Sequence, residues 1–308
     1  MDYSRRSVIK LPIAAALSGA TVGVASAASQ APSAGLQNGE FYAEVDDFRM
    51  SYEVRGQGPL LIHQTGVWTF DAKAMMRPLN EKLAEHFTVL TMDVRGQGRS
   101  SLGEGPTSYA RAAADTVRLM DSLDIEKAHF FGVSDGGCIQ LDLLLTFEDR
   151  VASSSLCGTP YSHDAYKPKI REALEAWRRE MLEDSETFFG ISEPLKEEEL
   201  EAMRTQYAQV SPHPELFIKV MKERRRCWST EPDVSLRRLS AINRPVLVIN
   251  AGADEYIPKT AFDALEQAIP DAKSVYFSDL KHVPFSHADQ IARAVRKFTS
   301  DVDAPSGD

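Results

Sequence analysis

Phe130-Phe131-Gly132-Val133-Ser134-Asp135-Gly136-Gly137 is the stretch that decides how this chain folds. It holds G-x-S-x-G over Gly132–Gly136, it ends an apolar strand pattern at His129–Val133, and it opens a helical pattern over Cys138–Leu145. A serine on a sharp strand-to-helix turn needs small neighbours, because the turn strains its backbone and leaves no room for side chains beside it. Gly132 and Gly136 meet that need. The following helix aims its first N–H groups and its dipole at the serine oxygen, which favours negative charge there. Ser134 is therefore the candidate nucleophile.

The rest of the chain supplies a sheet in which such a turn can sit. Phe41–Val45 and Arg49–Val54 read as short strands joined by Asp46-Asp47, and Leu60-Leu61-Ile62-His63 is a continuous apolar run of the buried-strand kind. Further strands are expected at Thr88–Asp93, His129–Val133, Ala152–Leu156, Pro245–Asn250 and Ser274–Phe277. Helical patterns fall at 71–86, 108–123, 137–147, 259–269 and 287–299. This alternation predicts an α/β fold with a mostly parallel, eight-stranded sheet and helices on both faces. The alternation breaks once. Residues 161–237 are almost all helical in pattern and are expected to form a helical cap inserted between core segments 40–160 and 238–300. Within the cap, Glu197–Glu201 and Lys222–Arg226 read as solvated helix faces, and Trp177, Phe188, Phe189 and Trp228 as cap core or substrate-facing residues. Residues 28–39 read as a flexible lead-in and Asp301–Asp308 as a disordered tail.

A nucleophilic serine needs a base, and the base needs an acid to orient it. The apolar strand Pro245–Asn250 runs into Ala251-Gly252-Ala253-Asp254-Glu255-Tyr256-Ile257-Pro258, which sets Asp254 in the loop at the carboxyl end of a strand, the functional edge of such sheets. Glu255 is the adjacent alternative, and a turn or helix-capping role is open to Asp254 as well. His282 follows the last strand, while His287, at the start of the final helix, is expected to cap it or face solvent. The oxyanion needs two backbone donors near the nucleophile. One is the N–H of Asp135. The other is expected from the loop His63-Gln64-Thr65-Gly66-Val67-Trp68, at Thr65. Trp68 is expected to pack or to line the substrate pocket.

With these residues in place, the chain resembles the α/β-hydrolase superfamily from about Phe41 to Phe298. Asp93-Val94-Arg95-Gly96-Gln97-Gly98-Arg99-Ser100 is similar to that family's D-x-R-G-x-G-x-S turn, a structural element. The resemblance implies Ser134, Asp254 and His282 as nucleophile, acid and base, and an acid with proline four residues later, Pro258, favours Asp254 over Glu255. Gly132–Gly137 and Leu280-Lys281-His282, with Ala288-Asp289 beyond, look most like the valacyclovirase (biphenyl-hydrolase-like) group. His63-Gln64-Thr65-Gly66 looks more like the 3-oxoadipate enol-lactonases. In the first group the residue matching Asp135 binds the amino group of aminoacyl esters; the other reading of Asp135 is structural, as an acceptor for helix N–H groups or an arginine. Gln64 stands where many members have glycine, and Lys281 where glycine is usual. Serine in place of aspartate at the nucleophile excludes haloalkane dehalogenases and epoxide hydrolases, and the H-G-G-P-G of proline iminopeptidases is absent. The implied activity is hydrolysis of a small carboxylic ester or lactone through an acyl-enzyme, with no metal or organic cofactor. A cofactor-free perhydrolase (haloperoxidase-like) and a non-catalytic ligand-binding protein of the same fold are the alternatives.

The first residues stand apart from this fold. A basic start at Ser4–Lys10, an apolar run from Leu11 to Val24 and the small residues Ala25-Ser26-Ala27 together read as a secretory signal. The pair Arg5-Arg6 resembles a twin-arginine signal, which implies the twin-arginine export machinery as a partner of the precursor, cleavage near Ala27 and a periplasmic or secreted enzyme. The apolar run is shorter than the ~20 residues a span needs, so no stable membrane association is expected. A net charge of −10 and a pI near 5.3 argue against a nucleic-acid partner, whose phosphates call for a basic face. Cys138, Cys157 and Cys227 have no C-x-x-C spacing and are expected as free, buried thiols.

Overall fold

The computed structural model describes residues 35–67, 70–183, 188 and 195–304. Among these residues eight strands form one sheet: β1 (Gly39–Val45), β2 (Phe48–Arg55), β3 (Leu60–Gln64), β4 (Thr88–Met92), β5 (Ala128–Val133), β6 (Val151–Cys157), β7 (Val246–Ala251) and β8 (Lys273–Phe277). The helices are α1 (Ala72–Met75), α2 (Arg77–Ala84), α3 (Tyr109–Ser122), α4 (Asp135–Thr146), α5 (Pro168–Leu182), α6 (Glu197–Val210), α7 (Phe217–Thr230), α8 (Leu236–Leu239), α9 (Lys259–Ala268) and α10 (Ala288–Asp303).

Burial explains the arrangement. Every residue of β3, β4, β5 and β7 is buried, as required of strands covered on both faces. β1 alternates between half-buried and exposed and closes one edge, and β8 is open at the other. The strand order is β1-β2-β4-β3-β5-β6-β7-β8; β2 runs antiparallel to both its neighbours and the remaining pairs are parallel. From β3 the chain goes to β4 on one side and then crosses to β5 on the other. That reversal opens a crevice beyond the carboxyl ends of β3 and β5, where ligands of such sheets bind. Between β6 and β7 come α5, α6 and α7, of which α5 and α7 lie over this crevice; Phe188, Tyr207 and Phe217 cluster with Phe70 and Leu102 of the core segments, and Ile170, Leu174 and Trp177 form another cluster.

Some elements differ from expectation, each for a local reason. The helix read over 71–86 is two helices broken at Met76, because Pro78 fits only in the first turn of a helix. Asp301–Asp303, read as disordered tail, complete α10; Val302 packs on the core and Asp303 Oδ2 lies 3.2 Å from His129 Nε2. Lys222–Arg226 is not a solvated face throughout, since Arg224 and Arg225 are buried. Arg224 lies over the rings of Phe70 and Trp228 at 4.9 and 5.0 Å, and Arg225 over Phe188 at 5.3 Å. A guanidinium is weakly hydrated and flat, so aromatic faces can cover it where they could not cover an ammonium. Cys138, Cys157 and Cys227 are buried free thiols.

One buried ion pair fixes the crevice wall. Lys73, on α1, is fully buried with Nζ 3.4 Å from Asp93 Oδ2 and donating to Ser51 Oγ at 2.6 Å. Burial pushes the Asp93 carboxyl up to about 6, against the pull of Lys73. Lys73→Met should destabilise the protein by about 3–5 kcal/mol at pH 8 in urea denaturation, because it strands a buried carboxylate. The folded Asp93 holds its proton more tightly than the unfolded chain does, so the penalty should shrink at pH 5, where Asp93 is largely neutral. Equal penalties at both pH values would mean that Lys73 acts by packing alone.

Candidate active site

β5 ends at Val133 and hands the chain to Ser134, whose backbone sits at φ 52°, ψ −115°. A non-glycine residue there is strained and has to be held. The Ser134 amide donates to the Cys157 carbonyl at 2.9 Å, and its own carbonyl accepts from Cys138 at 3.0 Å. α4 begins at Asp135, ahead of the apolar pattern, so the Asp135 amide stands at the first helical position with no intrahelical acceptor. Gly136 makes this possible: a Cβ there would stand 2.1 Å from the Gln64 carbonyl oxygen. That close approach brings the Thr65 loop against the elbow, where Thr65 Oγ1 donates to the Met92 carbonyl at 2.6 Å and Thr65, Ser134 and Asp135 border one cavity.

The other two candidates arrive from β7 and from the segment after β8. His282 Nε2 lies 2.9 Å from Ser134 Oγ, and its Nδ1 lies 2.8 Å from Asp254 Oδ2. The second oxygen, Asp254 Oδ1, accepts the amides of Tyr256 and Ile257, each at 2.8 Å. Asp254 therefore closes the turn after β7 and reaches the histidine as well. Glu255 has a different partner: its Oε2 accepts the backbone amide of His282 at 3.0 Å, tethering the histidine loop. The Tyr256 ring meets the imidazole edge-to-face at 4.6 Å.

His287 stands elsewhere. It is buried, not solvent-facing, with Nε2 3.1 Å from Asp279 Oδ1 and its ring 5.6 Å from Phe277, because a short turn at Pro284–His287 tucks it inward before α10 begins. His63 is buried too, 2.5 Å from Asn80 Oδ1, and burial pushes it down to about 4, so it is neutral near pH 7.

Above Ser134 and His282 lies a cavity of about 110 Å³. α1 and its C-terminal cap supply Met75 and Met76 on one side, and α5 supplies Ile170, Leu174 and Trp177 on another. Trp177 is among the residues expected in the cap core or facing substrate, and Ile170 and Leu174 precede it at helical spacing, a stripe the sequence shows. The two methionines carry no sequence signal. Trp228 of α7 stacks on Trp177 with ring centres 5.0 Å apart and planes 19° apart. Among the described residues Asp135 is the one carboxylate on this lining, and it is engaged: Oδ1 accepts from Tyr109 Oη and Oδ2 from Trp228 Nε1, both at 2.9 Å. Trp68 and Phe189 lie outside the described residues.

Comparisons with known proteins agree with this architecture. Residues 58–288 match the family described as alpha/beta hydrolase fold. The pimeloyl-(acyl-carrier protein) methyl ester esterase of Aeromonas salmonicida is 26% identical over 258 residues, covering 81% of this chain and 98% of the esterase. Among solved structures, the enol-lactonase of Burkholderia xenovorans LB400 has a TM-score of 0.60 at 24% identity, covering 84% of this chain and 99% of that one. The bromoperoxidase of Bacillus anthracis has a TM-score of 0.65 at 20% identity, covering 85% and 100%. At these identities the solved structures share the fold.

Gly136→Ala tests the elbow directly. The added methyl meets the backbone of β3, which cannot swing aside like a side chain, so a loss of about 1–3 kcal/mol is expected, read as a lower unfolding temperature by calorimetry. An unchanged midpoint would mean that the helix and β3 can separate without cost.

Proposed function

The chain belongs to the alpha/beta hydrolase fold family, and we propose that it is a serine hydrolase of small carboxylic esters or lactones. The observation that carries this reading is the unbroken line Ser134 Oγ–His282–Asp254, with spacings of 2.9 and 2.8 Å, ending beneath the cavity. With Nδ1–H donating to Asp254, the lone pair of Nε2 faces the serine, and the imidazolium that forms on proton transfer is stabilised.

Ser134 Oγ attacks the carbonyl carbon while His282 Nε2 takes its proton. The carbonyl electron pair moves to oxygen, where the amides of Thr65 and Asp135 receive the negative charge. Collapse of the intermediate breaks the carbon–oxygen bond, and the departing alkoxide takes the proton from His282. Water then repeats the sequence: His282 accepts its proton, the hydroxide attacks the acyl carbon, and Ser134 leaves with the proton returned. In a lactone the leaving hydroxyl stays tethered to the acyl group. The steps use the side chains of Ser134, His282 and Asp254, two backbone amides and one water.

Ser134→Ala should reduce turnover of p-nitrophenyl esters by about 10⁴-fold or more, because the three side chains act as a unit. Asp254→Asn should fold and still lose several orders of magnitude, whereas Glu255→Gln should be mild, since an amide oxygen can still accept the His282 amide. If Glu255→Gln proves the damaging change, the acid is misassigned.

The same reading includes export. Residues 1–34 lie outside the described residues, and it is the order of Arg5-Arg6, apolar run and Ala25-Ser26-Ala27 that supports it. Replacing Arg5 and Arg6 together by lysine should hold the precursor in the cytoplasm, as read by fractionation, while peptide mapping of the exported wild type should begin near Ala28. An exported chain that retains Met1 would contradict cleavage.

A further inference from the structure

The residue after the nucleophile has a side chain that the hydrolytic steps above do not use. Asp135 is buried, and each of its carboxylate oxygens has a donor from a different part of the fold: Tyr109 Oη from α3 and Trp228 Nε1 from α7, both at 2.9 Å. Its Cβ also presses on the oxyanion loop, for a Cβ at Gly66 would stand 2.2 Å from it. Asp135 thus touches core, loop and cap at one point.

The cap helix is arranged to meet it. Arg224 and Trp228 are four residues apart on α7 and share a face, with the guanidinium 5.0 Å from the indole ring. Arg224 is buried and offers the nearby carboxylate an opposite charge, its Nη1 resting 3.8 Å from Met221 Sδ. The rest of α7 is fastened to the start of α3 and the residues just before it: Glu223 accepts the Thr107 amide at 2.8 Å, Arg226 donates to the Thr107 carbonyl at 2.7 Å, and Glu231, just beyond the helix, accepts the Tyr109 amide at 2.6 Å. Trp228 carries this fastening to the cavity, where it stacks on Trp177.

We propose that the Asp135 carboxylate is a positioning group that fastens the cap's tryptophan pair over the nucleophile, and that the acyl group admitted is therefore uncharged and apolar, not aminoacyl. This rests on the hydrolase reading and narrows its substrate class. A carboxylate already held by an indole N–H and a phenol O–H, facing a buried arginine, is a poor receptor for a substrate ammonium. An ammonium would have to share oxygens that already accept these two donors, against the charge of Arg224, and give up its water inside a wall built of Met75, Met76, Ile170, Leu174 and two tryptophans. The same wall suits a short branched or aromatic acyl group.

The test uses the full chain and the variants Asp135→Asn, Trp228→Phe, Tyr109→Phe and the double variant Asp135→Asn/Trp228→Phe. Closely stacked indoles give an exciton couplet in far-ultraviolet circular dichroism, which reports the Trp177–Trp228 pair without any substrate. Asp135→Asn should weaken that couplet and lower kcat/KM for p-nitrophenyl butyrate about tenfold, mainly through KM, equivalent to ~1.4 kcal/mol. The double variant should be no worse than Trp228→Phe alone, since both changes break one contact. Tyr109→Phe, which keeps the carboxylate, should shift couplet and KM the same way by less, and it carries the test if Asp135→Asn does not fold. Wild type should prefer ethyl propionate to alanine ethyl ester. The proposal is overturned if Asp135→Asn leaves the couplet intact and damages only alanine ethyl ester, or if the losses multiply in the double variant. A wild type that cleaves no ester would instead sink the hydrolase reading, and the couplet would still decide the role of Asp135.

Discussion

The strained backbone of Ser134 is the constraint on which the other parts depend. At φ 52° a serine gains nothing from its own conformation, and a residue in such a region costs of the order of 1–3 kcal/mol. What holds it is the sheet: β6 receives its amide through Cys157, and the first turn of α4 is pressed onto β3 so closely that only glycine fits at position 136. The contact that enforces the turn is also the contact that brings Thr65 beside Asp135. Strain, helix N-terminus and loop are therefore one geometric solution, found where the strand order reverses.

The charges around this point are sorted by position. Asp254 lies at the base of the line with two backbone amides on one oxygen and the imidazole on the other, so both oxygens are engaged. Asp135 directly follows Ser134; burial raises its carboxyl above the usual range, against the hydrogen bonds of Trp228 and Tyr109 and the field of Arg224. Lys73 of α1 and Asp93 form a buried ion pair. The cavity lining itself is left almost wholly apolar, with the polar groups gathered at its floor.

Much of this was legible in the sequence because it is local. A run of β-branched and aromatic residues into G-x-S-x-G fixes a strand, a turn and a helix within about a dozen positions, and the alternation on either side gives the sheet. Asp254 and His282 stand in the loops after β7 and β8, where chain order alone puts them at the functional edge. The less legible features are those that join distant segments through side chains. Trp228 and Asp135 are 93 positions apart, and nothing near either one announces the other. Arg224 and Arg225 looked solvated because a charged run usually is; their burial depends on Phe70, Trp228 and Phe188, which come from other elements or from one turn along the helix. Glu255 shows the converse: it stands beside Asp254, and its carboxylate's partner is a backbone amide 27 positions away.

The central claim is that Ser134 becomes a covalent acyl carrier when His282 draws off its proton. Treating the purified protein with a fluorophosphonate probe and mapping its peptides by mass spectrometry tests this most directly. The account predicts a single phosphonyl adduct on the peptide that holds Ser134, lost when His282 is replaced by alanine in a protein that still folds. An unlabelled wild type, or an adduct on a different serine, would contradict it.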